Sequence, residues 1–152
     1  MDEKMISDLR MKSGAHWKKI VEKYGSGEKG TVLDFKDFLQ GRQAASVTLH
    51  GCSVELPVHR QNFIEFIYAY EGRIVTEIDG KELVQEKGDI LLMNQYVEHR
   101  VKPTGNENEA LILAALPDFF EKPLEMMKKQ SLITDFLANM FRQNSKKPEY
   151  LM

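Results

Sequence analysis

The sequence predicts a mainly β domain, a sandwich or small barrel, with helical segments at both ends. From Ser46 to Pro117 short apolar runs alternate with turn residues, about eight strands in all. Before Tyr24 and after Pro117 the apolar spacing suits helix instead. Strands do not alternate with long helices, which sets aside a parallel α/β fold. A chain of 152 residues is the size of one domain and can bury a sizeable core.

Met5, Leu9, Ile20, Val21 and Tyr24 recur at helical spacing, so a helix is predicted over 4–24 although Gly14 interrupts the pattern. Gly25-Ser26-Gly27-Glu28-Lys29-Gly30 then breaks the chain as a loop. The same six residues satisfy G-x-G-x-x-G, but a phosphate-cradling turn needs a strand before it and a βαβ unit around it, and neither is present. Strands are predicted at 46–50, 52–58, 62–70, 73–78, 81–85, 89–93, 99–102 and 110–116. Glu71-Gly72 reads as a hairpin turn and Asp79-Gly80 as a type I′ turn. The runs 63–70 and 110–116 are apolar on both faces, so the outside of the sheet needs cover from terminal helices or a second subunit.

Beyond Pro117, Phe119, Phe120, Leu124 and Met127 form one helical stripe. Leu132, Ile133, Phe136, Leu137, Met140 and Phe141 form another, with Gln130-Ser131 between the two. Two such stripes predict a helical hairpin and a homodimer. Residues 143–149 read as loop, and the apolar Tyr150-Leu151-Met152 after them predicts that the chain continues into another element.

A net charge of −2 and a pI near 6.1 argue against this segment gripping nucleic acid by itself. Cys52 is the only cysteine, so an internal disulfide is impossible and a reducing cytoplasm is expected. Asp2 and Glu3 without an apolar run exclude an ordinary signal peptide, and no stretch approaches the roughly 18 apolar residues of a membrane span. Lys128-Lys129 and Lys146-Lys147 read as solvated faces.

The chemistry is expected in the run His59 to Glu65. On one ribbon His59, Gln61 and Glu65 project to the same side as Phe63 and Ile67, placing polar groups on a face that should be oily. If a later strand brings His99 across from them, four groups able to bind a metal or a polar small molecule converge. His50 and His16 have no such context and read as ordinary.

These residues carry a family resemblance. Gly51 … His59-x-Gln61-x-x-x-Glu65-x6-Gly72 resembles the first cupin motif, and Gly88-x5-Asn94 … His99 the second. Within cupins the chain is most similar to the N-terminal sensor domain of AraC/XylS-type transcription regulators. The likeness runs through His59 to Gly72, Ile78-Asp79-Gly80-Lys81, Gly88 to Asn94, His99, Leu116 to Phe120 and Leu132 to Phe136, ending at Tyr150-Leu151. It implies a cupin-like double-stranded β-helix (jelly-roll barrel) with an N-terminal helix and a C-terminal helical hairpin for dimerisation. The implied division is a helical segment and loop over 1–45, the barrel over 46–117, the hairpin over 118–142 and the start of a linker over 143–152. A C-terminal double helix-turn-helix DNA reader is also implied, and this sequence lacks it.

Metal-using cupins usually offer three histidines and a carboxylate. Here Gln61 takes the second histidine's place, and Asn94 and Tyr96 stand where Pro and Gly are usual. A metal, if bound, would sit on His59, Gln61, Glu65 and His99, but an amide oxygen is a poor donor for ions that favour nitrogen. The expectation is no metal, no other cofactor and no catalytic residue. Instead a small polar effector, sugar-like or another polar metabolite, is expected in the barrel, held by Glu65 and His99 with a phenol from Tyr68 or Tyr96. The alternatives are a stand-alone cupin enzyme, such as a metal-dependent dioxygenase or sugar isomerase, and a ligand-free structural dimer with a filled barrel interior.

Overall fold

The computed structural model describes residues 2–27, 30–39, 43–126, 132–141 and 146–152, with the side chains of Leu132, Ile133, Phe136 and Phe141 excepted. The expectations for Glu28-Lys29, Met127, Lys128-Lys129, the Gln130-Ser131 turn and residues 142–145 lie outside the described residues.

The first helix, α1 (Glu3–Tyr24), starts where Asp2 turns its carboxylate back to accept from the Lys4 N–H at 3.1 Å. It runs through Gly14 without a break, since one exposed glycine weakens a long helix by only about 1 kcal/mol. Its buried face is Ile6, Ser13, Trp17 and Ile20, and Val21 and Tyr24 of the predicted stripe pack against the same core, whereas Met5 is half exposed. The face turns that way because α1 lies along the edge strand β2 (Ala45–Gly51), whose Leu49 N–H donates to Ser13 Oγ at 2.8 Å. Arg10 clasps Glu109 through two 2.7 Å bonds.

The remaining strands are β1 (Thr31–Leu33), β3 (His59–Gln61), β4 (Ile64–Glu71), β5 (Ile74–Ile78), β6 (Lys81–Gln85), β7 (Ile90–Met93), β8 (His99–Lys102), β9 (Glu109–Ala115) and β10 (Tyr150–Leu151). Among the described residues they form two five-stranded sheets, β1-β3-β8-β5-β6 and β10-β7-β4-β9-β2. The main core lies between the sheets and under α1, with Phe63, Ile67, Ile74, Leu91, Met93 and Ile112 almost wholly buried.

Several expectations change here. The run 52–58 is a turn and irregular segment, because Cys52 is tied by its N–H to the Asn108 carbonyl and by its carbonyl to the Thr104 N–H. Glu71-Gly72 does not close a hairpin; it carries the chain from one sheet into the other, since β4 and β5 lie in different sheets. Gly72 is required there twice over: its φ is +67°, and a Cβ would collide with the Asn108 side-chain oxygen that accepts from the Arg73 N–H. Asp79-Gly80 does form the I′ hairpin, with φ 51° and 73° and Ile78 paired to Lys81. β1 and β10 were not anticipated. β1 pairs in parallel with β3, and β10 pairs antiparallel with the edge of β7.

After β9 a 3₁₀ turn, Pro117–Phe120, leads into α2 (Glu121–Met126), and α3 (Leu132–Phe141) follows. Phe120, Leu124, Leu137 and Met140 cover Ile64, Phe66 and Leu92 on the outer face of the second sheet. The outer face of β4 thus finds its cover within the chain. Phe119 points away and is substantially exposed. Among the described residues no helix is long and apolar enough to cross a membrane.

Candidate functional site

Four strands and one helix bring polar groups to one end of the core. On β3 the alternation is inward, outward, inward, so His59 and Gln61 are buried and Arg60 is exposed. His99 of β8 is the direct cross-strand partner of His59, and their rings lie 4.7 Å apart. Glu65 comes from the facing sheet. The chain turns a corner at Asn62-Phe63, so His59 and Glu65 do not share the single ribbon expected from the sequence; each faces inward from its own sheet. Asn62 secures that corner, its N–H donating to the Leu33 carbonyl and its Oδ1 accepting from the Phe35 N–H at 2.7 Å.

Across the interior His99 Nε2 and Glu65 Oε2 are 3.2 Å apart, at 1% and 9% side-chain exposure. Burial acts to raise the Glu65 carboxyl, but the charge and hydrogen bond of His99, helped by His59 and His50, bring it below the ordinary carboxylate value. His59 Nδ1 lies 2.7 Å from the Pro57 carbonyl oxygen, an acceptor only, which assigns the ring proton to Nδ1 and leaves Nε2 a lone pair. Burial, then His99, hold His59 down at about 4 against the opposite pull of Pro57 and Glu65.

The structure adds His50 to this group. Its ring lines the same cavity as His59, Glu65 and His99, and burial pushes it to about 4. Ser46, Thr48 and His50 pair with Ala114, Ile112 and Ala110, whose side chains lie in the main core, so the polar face of β2 is the inner one. That inversion hid His50 from sequence reading, because alternation assigns a polar face to solvent. The signal was a third histidine on a strand, one residue before the glycine that opens the first motif.

Trp17 of α1 closes the cavity, its ring edge-on to His50 at 4.6 Å. The space left is about 20 Å³, enough for about one water. Gln61 is buried at 1% exposure but is absent from the cavity wall, and neither atom of its amide has a partner among the described residues. Tyr68 alternates with Glu65 and Ile67 and so occupies the outer face of β4. Tyr96 is half-buried in the turn after Asn94, where its N–H donates to Asn94 Oδ1 at 3.1 Å. Neither tyrosine reaches the cavity wall.

This donor set does not fit a metal centre. Glu65 and His99 are committed to each other, and Gln61, the amide among the four expected ligands, stands off the wall. Among the described residues no three His, Cys, Asp or Glu side chains are grouped as metal ligands. The arrangement offers instead a buried carboxylate and neutral imidazoles, groups that accept and donate hydrogen bonds to a polar guest.

Residues 46–116 match the family model of the cupin domain. With ten strands in two sheets among the described residues, the fold is mainly β and cupin-like, as the motif pattern implied. No curated protein matches the chain. Among solved structures it is similar to a predicted oxalate decarboxylase from Thermotoga maritima, at 22% identity and TM-score 0.40, covering 47% of this chain and 64% of that one. A cupin-2 domain containing protein from Shewanella frigidimarina is similar at 17% identity and TM-score 0.44, covering 53% and 87%. The DMSP lyase from Ruegeria pomeroyi is similar at 18% identity and TM-score 0.39, covering 47% and 36%. The chain thus spans less than two thirds of the decarboxylase and about a third of the lyase.

Proposed function

We propose that the chain is the effector-sensing and dimerising module of a bacterial, cytoplasmic transcription regulator of the AraC/XylS type, with a small polar molecule received in the barrel. The observation that carries the reading is the buried Glu65–His99 pair, flanked by two imidazoles and closed off from solvent. The order of motifs from residue 46 to 152 supports the regulator in particular. A cavity of about 20 Å³ is too small for a sugar, so an effector enters only if the closed arrangement yields. Binding of that kind favours one conformation over another, which is what a sensor requires. β4 provides a route outward, since Glu65 lies on its inner face while Ile64 and Phe66 on its outer face contact the C-terminal helices.

Thermal shift with sugars and other polar metabolites tests the site. A stabilising compound is expected to lose its effect on His99→Ala and on Glu65→Ala, and a hit insensitive to both overturns the assignment. Light scattering tests dimerisation, where a monomer at high micromolar concentration counts against it. The reading frame downstream of Met152 tests the regulator: two helix-turn-helix units there are expected.

A second reading, a proton-transferring cupin enzyme such as a sugar isomerase, is favoured by one observation. His59 Nε2 is an unprotonated base beside an anchored carboxylate. Metal analysis separates this reading from a metalloenzyme: stoichiometric metal that is lost on His59→Ala favours the metal-dependent enzyme over both.

A further inference from the structure

Outside the barrel, a groove of about 650 Å³ runs between α1 and the segment 49–55. Leu49, Val21 and Val54 give it apolar walls, and Lys18, Glu55 and Ser53 give it polar ones. The closed inner cavity lies immediately behind it, because Trp17 and Val54 belong to the walls of both. Trp17 is only 6% exposed, yet its indole Nε1 is buried with no acceptor, and His50 Nδ1, on the ring that it abuts, has no partner among the described residues. A packed core seldom leaves unanswered polar atoms on two rings in contact.

Resting on the sensor reading above, we propose that the groove and the inner cavity are two halves of one binding site for a hydroxyl-bearing small molecule, with the Trp17 side chain as the gate between them. With the indole swung out, the two spaces join and the molecule bridges them. A hydroxyl suits these walls because it both donates and accepts: it donates to Glu65, and it accepts from the indole N–H or an imidazole N–H. The carbon skeleton lies against Leu49 and Val54. The seat of the gate is set by how α1 is clasped to the barrel, through Arg10 to Glu109 and Ser13 to the Leu49 N–H. Gly14 stands between these clasps and Trp17 in the groove wall, with open space around it.

Residue-resolved modification by diethyl pyrocarbonate, which acylates neutral imidazole, reads the gate without any ligand. Trp17→Ala is expected to raise the rates at His50 and His59 by about tenfold or more, while Cys52, wholly buried, stays inert to a thiol reagent and reports that the core is intact. Unchanged histidine rates in a chain whose Cys52 remains inert overturn the gate. If Trp17→Ala does not fold, the double variant Arg10→Ala, Ser13→Ala loosens α1 with the indole retained. The protein has one tryptophan, so acrylamide quenching of its fluorescence follows Trp17 alone. Quenching and His50 modification are expected to rise together, and indole exposure without His50 modification overturns the proposal. Glycerol, glucose and inositol, added to the wild-type chain, test the ligand class. Slowed His50 modification by one of them supports it, and no protection by any of the three overturns that class. The gate is then judged by the histidine rates and the sensor reading by the thermal-shift variants.

Discussion

The two faces of β4 solve opposite problems. Inward, Glu65 needs a particular partner at a particular distance, and His99 supplies it at 3.2 Å. Outward, Ile64 and Phe66 need only to leave water, and Phe120, Leu124, Leu137 and Met140 provide that cover. The inner face is therefore sensitive to charge and protonation, and the outer face to lost area alone.

The largest contrast is expected from Glu65→Ala. It strips a buried pair of one partner and is expected to cost about 3–5 kcal/mol in urea denaturation at neutral pH. A loss under 1 kcal/mol would mean that the pair is solvated. Acid comes next. His50 and His59 each titrate near 4 in the folded chain and near 6.5 when unfolded, so the unfolded state binds more protons between those values. Stability is expected to fall as pH drops below about 6.5, by roughly 3 kcal/mol per histidine once pH is below 4. Glu65, held below its ordinary value, adds a loss in the same direction at lower pH. His50→Asn is expected to remove about half of the histidine-linked slope in denaturation followed from pH 7 to 4. The smallest effect is on the outer face. Phe120 stacks on Phe66 at 5.6 Å and is only partly buried, so Phe120→Ala is expected to cost about 1–2 kcal/mol and to leave the pH slope unchanged. A changed slope would show that the two faces are coupled.

Much of the fold could be read from the chain. Strand periodicity located β4, β7, β8 and β9, and Asp79-Gly80 specified its hairpin, because these signals are local. Pairing partners escaped. Glu71-Gly72 looks like any tight turn, and only the position of β5 in the other sheet makes it a crossing. β1 and β10 are two or three residues long, too short for periodicity, and exist because β3 and β7 present free edges to them.

The site divides in the same way. Residue type and spacing marked His59, Gln61, Glu65 and His99, since a polar group recurring on an oily strand is visible in one dimension. The sequence by itself determined which polar side chains fall on those strands and how each alternates. Only the tertiary structure decided that the polar face of β2 turns inward to bring in His50, that Tyr68 turns outward, and that Trp17 stops the mouth of the barrel. Those facts depend on which face of each element meets which neighbour. Long-range packing energy sets that choice, and no local pattern encodes it.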